Sequence, residues 1–280
     1  MVPRVFLASV VHDGAHHAAR LVDGGEAVVL LPAPDVGRLL GTPDWARTAA
    51  TVGDEIAIAD VALAALSRPT KTICVGLNYR AHIEETGAVL PERPTLFSKF
   101  TDSLCGPNDD IELPSTSSRV DWEAELTVVI GREARRVGVD AALRHVAGYT
   151  VANDTSMRDW QRRTTQWMQG KNFEASTPIA GVMATPDEVD HARDLRLTCT
   201  VDGETMQDAR TNDLLFGPAE LVSYISTFTT LHPGDLILTG TPAGVGDARD
   251  PKRFIAAGEI VVVTLEGVAD CRNRFVGDPG

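Results

Sequence analysis

The chain has 280 residues, enough for one large domain or a large and a small one, and its 43% hydrophobic content allows a substantial core. It carries 39 acidic against 26 basic residues, a formal net charge of −13. That balance argues against a nucleic-acid surface, which needs a basic stripe, and requires local cations wherever an anionic ligand is to bind.

The start of the chain lacks a full signal-peptide pattern, and no run of about 18 apolar residues occurs, so no membrane partner and a cytoplasmic location are expected. Residues 1–66 read as a small N-terminal domain. In it, Val5–Val11 and Glu26–Leu31 are expected strands, joined by a polar segment. His12 and His16 have the i, i+4 spacing of a helical metal pair. Gly14, Gly24 and Gly25 favour a loop there instead. Arg68-Pro69 marks the expected boundary, and residues 67–280 form the catalytic, metal-binding domain.

From there the strand signals accumulate: Thr72–Val75, Leu96–Phe100, Leu126–Ile130, Gly148–Ala152, Pro178–Ala184, Leu195–Val201, Leu236–Thr239 and Ile260–Leu265. Asp202-Gly203 supplies the positive-φ residues of a hairpin turn between Leu195–Val201 and the segment from Glu204. One helix stands out. Gly217-Pro218 opens it, Leu221, Val222, Ile225 and Phe228 form its apolar face, and His232-Pro233-Gly234 closes it. Many strands and few helices, not in strict alternation, predict a β-rich α+β fold. Cys74, Cys105, Cys199 and Cys271 are widely spaced, with no C-x-x-C pair. They read as small buried hydrophobes in a reducing compartment.

Three stretches carry groups suited to chemistry. In Asp121-Trp122-Glu123-Ala124-Glu125, an extended backbone puts Glu123 and Glu125 on one face. Two carboxylates so placed repel each other, so that face meets water or holds a cation. Asp154, where a strand runs into polar residues, is an N-cap or turn aspartate, or a third carboxylate for the same cation. An all-oxygen set of this kind favours Mg²⁺, Mn²⁺ or Ca²⁺ over zinc. In Gly76-Leu77-Asn78-Tyr79-Arg80-Ala81-His82-Ile83-Glu84-Glu85, a helix makes His82 and Glu85 neighbours. The pair is either a solvated helix contact or a carboxylate that fixes the imidazole tautomer and frees the other nitrogen for proton transfer. Lys171 follows a glycine, and Leu238-Thr239-Gly240-Thr241-Pro242-Ala243-Gly244-Val245-Gly246 is a glycine-rich loop. As a nucleotide signature that loop is weak, because no Gly-Lys-Ser/Thr follows.

Taken in order, these segments resemble the fumarylacetoacetate hydrolase family, closest to its acylpyruvate and fumarylpyruvate hydrolase-like branch. The matching residues are Gly76-Leu77-Asn78-Tyr79 with His82 and Glu85, Phe97-Ser98-Lys99, and Asp121-Trp122-Glu123-Ala124-Glu125. Asn153-Asp154 with Arg158-Asp159-Trp160-Gln161, Gly170-Lys171, and Thr239 to Gly246 complete the set. The resemblance implies a mixed β-sandwich roll, a homodimer, and Mg²⁺ or Mn²⁺ held by Glu123, Glu125 and Asp154. It implies a catalytic His82–Glu85 pair and a Lys171 that, with Thr241, contacts a small anionic oxo-acid substrate. Lys99, Arg158 and Gln161 line or support the site. The activity expected on this basis is hydrolytic cleavage of a C–C bond in an acylpyruvate. The alternative is a decarboxylase, isomerase or dehydratase that uses the same enolate of a β-keto or enol acid such as oxaloacetate. A non-enzymatic binding protein would have lost one of these groups, and none is missing.

Overall fold

Side-chain alternation along Ala124–Ile130 organises the molecule, which the computed structural model describes over residues 5–277. This strand is buried along its whole length. Ala124, Leu126, Val128 and Ile130 point into one core, shared with Leu197, Cys199, Val261, Val263 and Leu265 of a second sheet. Val129 points the other way, into a core with Leu39, Leu40, Leu236 and Leu238. A strand covered on both faces has no solvent side on which to place polar residues, which explains its β-branched, nearly uninterrupted apolar run.

Among the described residues the larger sheet has eleven strands. Its order runs from Glu55–Ala57 through Ala27–Leu31, Ala15–Val22, Phe6–His12, Val182–Ala184, Val146–Asn153, Ala124–Ile130, Leu236–Leu238 and Thr72–Gly76 to Thr95–Lys99, with Ala62–Leu63 paired to Phe6–His12. Pairing is antiparallel except between Leu236–Leu238 and Thr72–Gly76. The second sheet orders Glu204–Arg210, Arg196–Val201, Ile260–Leu265, Ala269–Gly277 and Ile111–Leu113. The fold is the expected β-rich α+β sandwich.

The hairpin at Asp202-Gly203 forms as its residues dictate. Both have positive φ (48° and 83°), and Val201 pairs directly with Glu204. The helix spans Pro218–Phe228 and buries Leu221, Val222 and Ile225. Its first turn is closed by Glu220, whose carboxylate accepts the Gly217 N–H at 2.8 Å. It ends ahead of His232-Pro233-Gly234, and the Arg135 guanidinium satisfies the free carbonyls of Ser226 and Thr227 at 3.2 and 2.9 Å. Phe228, assigned to the apolar face from spacing, is 61% exposed.

The N-terminal segment needs a correction. Ala15–Val22 is a strand, not a loop, and Asp13-Gly14 is a two-residue turn with φ of 50° and 76°. His12 and His16 therefore sit on two adjacent strands rather than on one helix face. Ala18 and Ala19 are both fully buried here. Alanine and histidine are weak strand signals, which is why the pattern hid the strand. Phe6–His12 then pairs with Val182–Ala184, joining these strands to those that carry the acidic residues.

Candidate active site

Glu125 lies in the strand Ala124–Ile130, and Glu123 just before it, in a short extended connection after Val120–Asp121. The Glu123 backbone is fixed to the neighbouring strand end. Its N–H donates to Asn153 Oδ1 and its carbonyl accepts from the Asp154 N–H, both at 2.8 Å. Asp154 is thus held against Glu123 by the main chain. It does not cap a helix, since the next one, Arg158–Gln161, starts after Met157. The three carboxylates offer oxygens that all lie within 4.8 Å of one another, and all three residues are buried.

Three cations answer them. Lys171 Nζ donates to Glu123 Oε2 at 2.7 Å and to Asp154 Oδ2 at 2.8 Å. Lys99 Nζ lies 2.8 Å from Asp154 Oδ1. Arg158 reaches Glu123 Oε1 through Nη1 at 2.6 Å and Asp121 Oδ2 through Nε at 2.8 Å. Burial pushes the Glu123 carboxyl up, but Lys171 and Arg158 outweigh it and hold the group at about 2. Burial disfavours the Lys171 ammonium too, yet Asp154 and Glu123 raise its pKa above the ordinary lysine value.

Glu125 differs. Among the described residues it forms no ion pair, and its one bond is from the Gly240 N–H at 2.8 Å. Burial, then repulsion from Asp154 and Glu123, push its carboxyl well above the usual range. Glu123, Glu125, Asp154 and Asp121 thus face only Lys171, Lys99 and Arg158, leaving Glu125 uncompensated. A buried carboxylate without a counter-ion, beside two others and with only oxygen donors, is an environment that suits a hard divalent cation.

His82 and Glu85 sit on the helix Arg80–Glu85 and line the same cavity as Glu123 and Glu125. His82 Nδ1 is 3.0 Å from Glu85 Oε2, and Glu85 Oε1 accepts the Gly244 N–H at 2.9 Å. The glycine-rich loop is therefore a donor platform, with Gly240 serving Glu125 and Gly244 serving Glu85. Both glycines have φ near 100°, and a side chain at either would strike backbone: Val75 O at 2.8 Å from the first, Met206 O at 2.1 Å from the second.

Burial alone would raise the Glu85 carboxyl, but the His82 and Gly244 hydrogen bonds bring it below its ordinary 4.5. A depressed carboxylate contributes stability that is fully present above the unfolded value and is lost as pH falls through the folded one. Glu85→Gln should therefore melt below the native chain at neutral pH, the gap closing as pH drops beneath about 4.5. A gap constant down to strongly acidic pH contradicts this.

Lys171 is placed by Gly170. A methyl group on Gly170 would lie 2.3 Å from Gln161 N and 2.5 Å from Met157 O, both backbone atoms. Gly170→Ala should destabilise by about 1–3 kcal/mol, read as a lower thermal midpoint, because the turn carrying Lys171 must lift off the Met157–Gln161 segment. An unchanged midpoint would mean that the contact relaxes freely.

The cavity, of about 450 Å³, is lined by Glu123, Glu125, His82, Glu85, Arg158, Gln161, Lys171 and Thr241 among others. Lys99 and Asp154 are fully buried and do not line it, so Lys99 supports Asp154. Thr241 Oγ1 accepts from Gln207 Nε2 at 2.8 Å, and Gln161 Oε1 accepts from Arg158 at 3.0 Å. Asp121, which the sequence motif leaves without a role, organises the loop beside the acids. Its carboxylate accepts the N–H groups of Gly246 and Asp247 at 2.7 and 3.0 Å as well as Arg158. Gln207, Trp167, Arg162, Asp247 and Lys252 were missed altogether. The Trp167 ring lies over Gly76, where an added Cβ would be 2.2 Å from a ring carbon, a contact that no sequence pattern marks.

The family model for the fumarylacetoacetate (FAA) hydrolase C-terminal region matches residues 71–276. The chain belongs to this family. Among its relatives, the Bos taurus protein named oxaloacetate tautomerase FAHD2A, mitochondrial, is 44% identical over 216 residues, 76% of this chain and 69% of that protein. The solved 5-carboxymethyl-2-hydroxymuconate delta-isomerase from Mycobacterium smegmatis superposes with a TM-score of 0.82 at 34% identity, covering 98% of this chain and 100% of that one. Fumarylpyruvate hydrolase from Pseudomonas aeruginosa, solved with Mn²⁺ and pyruvate, superposes with a TM-score of 0.69 at 33% identity, over 75% of this chain and 91% of its own.

These relatives correct the expected activity of this family member. Acylpyruvate hydrolysis was inferred from the resemblance to one branch of the family. The tautomerase relative overturns it in favour of the alternative, chemistry on the enolate of a β-keto acid. The physical reason is that both reactions use the same residues. An enolate occurs in either reaction, as leaving group in one and as intermediate in the other, and residue types alone do not say whether a water or a C–H bond would meet a base in this cavity. Among the described residues no helix is long and apolar enough to cross a membrane.

Proposed function

We propose that this chain interconverts the enol and keto forms of oxaloacetate or a closely similar 2-oxo acid. The observation that carries this reading is the His82–Glu85 pair lining the same cavity as the three-acid cluster, in a chain 44% identical to an oxaloacetate tautomerase.

With the Nδ1 proton donated to Glu85, His82 Nε2 keeps its lone pair for the substrate. From the keto form it takes a proton from C3. The C–H electron pair becomes the C2=C3 bond, and the C2=O π pair moves onto oxygen. The imidazolium then returns the proton to that oxygen. Nothing is added or lost, so no water is consumed and one product forms. Glu85 holds the ring and stabilises the transient imidazolium, and base assistance of this kind is worth about 10²–10⁴-fold. Lys171, kept charged by its acidic neighbours, provides positive potential where the enolate oxygen develops charge. Arg158 also lines the cavity and adds positive potential towards the substrate carboxylate. Mg²⁺ or Mn²⁺ held by Glu123, Glu125 and Asp154 supplies, when bound, Lewis-acid polarisation of the 2-oxo group.

The test follows the ultraviolet absorbance of enol-oxaloacetate while pyruvate and CO₂ are assayed in parallel, with Mg²⁺ or Mn²⁺ present. Faster loss of the enol band without pyruvate is the expected result. Stoichiometric pyruvate and CO₂ would instead make the chain a decarboxylase, and no acceleration would remove the proposal.

A further inference from the structure

At the cavity mouth, away from the buried acids, sit two cations that the chemistry above does not use. Arg162 and Lys252 both line the cavity, and both bind Asp247: Arg162 through Nη2, and Lys252 through Nζ at 2.7 Å. The Arg162 and Lys252 side chains are 61% and 49% exposed, whereas Asp247 is 5% exposed. Two cations thus share one carboxylate, leaving an excess positive charge at the opening of a cavity in a chain whose net charge is −13. The inner cations Lys171, Lys99 and Arg158 are all bound to buried carboxylates, so the rim pair is the exposed positive charge of the cavity.

The rim is built on the inner site. Asp247 is anchored by its own N–H to Asp121 Oδ2 at 3.0 Å, and the same oxygen takes Arg158 Nε at 2.8 Å. Asp121 thereby fixes the distance between the group that supports Glu123 and the group that carries the outer cations. A monoanionic 2-oxo acid is satisfied by the inner end alone. A second carboxylate on the substrate, projecting towards the opening, meets Arg162 and Lys252, each of which has donors left after binding Asp247.

We infer that Arg162 and Lys252, positioned by Asp247, form a clamp for the distal carboxylate, so that the site selects dicarboxylic over monocarboxylic oxo acids. The inference deepens the tautomerase reading by naming its substrate class. It does not need turnover to be tested, and the experiment separates the two claims.

Binding of malate and of lactate, two 2-hydroxy acids that differ in the distal carboxylate, is measured by calorimetry with Mn²⁺ present in every cell. The proteins are the native chain, Arg162→Ala, Lys252→Ala and the double variant. The native chain should prefer malate at least tenfold, either single variant should lose several-fold for malate alone, and the double variant should bind both alike. In turnover, Arg162→Ala should raise KM for oxaloacetate about tenfold with kcat within twofold. Arg162→Lys should recover part of the lost affinity. Equal binding of malate and lactate by the native chain overturns the clamp, as does an equal loss for both ligands in the variants. A malate preference in a chain that turns over no oxo acid keeps the clamp and removes the tautomerase reading instead.

Discussion

Replacing His82 by alanine should lower kcat for enol–keto conversion by about 10²–10⁴-fold while leaving the acid cluster assembled. The imidazole contacts Glu85 and the cavity but bonds to none of the three clustered acids. Binding of Mn²⁺, followed by titration calorimetry, should match that of the native chain, and the thermal midpoint should move little. The drop should fall on kcat rather than KM, because proton transfer occurs in the chemical step and not in substrate capture. A variant that keeps its rate within a factor of ten would remove His82 as the base and pass the role to another group lining the cavity.

The largest stability effect should come from Lys171→Met, which keeps most of the side-chain volume and deletes the charge. Lys171 is 2% exposed and bonds Glu123 and Asp154 together. Removing one partner from a buried ionic group costs about 3–5 kcal/mol, because the remaining charges are left without compensation. Arg158 and Lys99 still serve Glu123 and Asp154 respectively, which places the expectation at the lower end, about 3 kcal/mol. Mn²⁺ should restore part of that loss, since a divalent cation among the three acids takes over their neutralisation. Chemical denaturation with chelator and with Mn²⁺ measures both quantities. A variant as stable as the native chain in chelator, or one that metal does not help, contradicts the charge balance described above.

Legibility from sequence followed the strength of the local signal. Leu126–Ile130 and Gly148–Ala152 are legible as strands, within the observed Ala124–Ile130 and Val146–Asn153, because apolar and β-branched runs in fully covered strands have few other readings. The Asp202-Gly203 turn was found because few residue pairs accept two consecutive positive φ values. Ala15–Val22 was not, since its small and polar side chains carry no period and its place is decided by pairing with Phe6–His12. The acids followed the same division. Period two puts Glu123 and Glu125 together, whereas Asp154 joins them through tertiary contacts, the main-chain bond to Glu123 and the shared Lys171. Neither Gln207, which holds Ala124 and Thr241, nor Asp247 announces itself, because each acts through partners at least 34 positions away in the chain, Lys252 apart. The reaction was misread for a different reason. Hydrolysis and tautomerisation diverge in what the cavity presents to the proposed base, and that depends on cavity shape and substrate.

Gly240 and Gly244 connect two parts of the chemistry that are otherwise independent. One loop offers the amide hydrogen that steadies Glu125 and, four residues on, the amide hydrogen that steadies Glu85. The stretch between them acts as a ruler, setting how far the helix that carries His82 and Glu85 stands from Glu125. Lengthening it by a single residue should leave Glu125 and Glu85 in the protein and yet take them out of alignment.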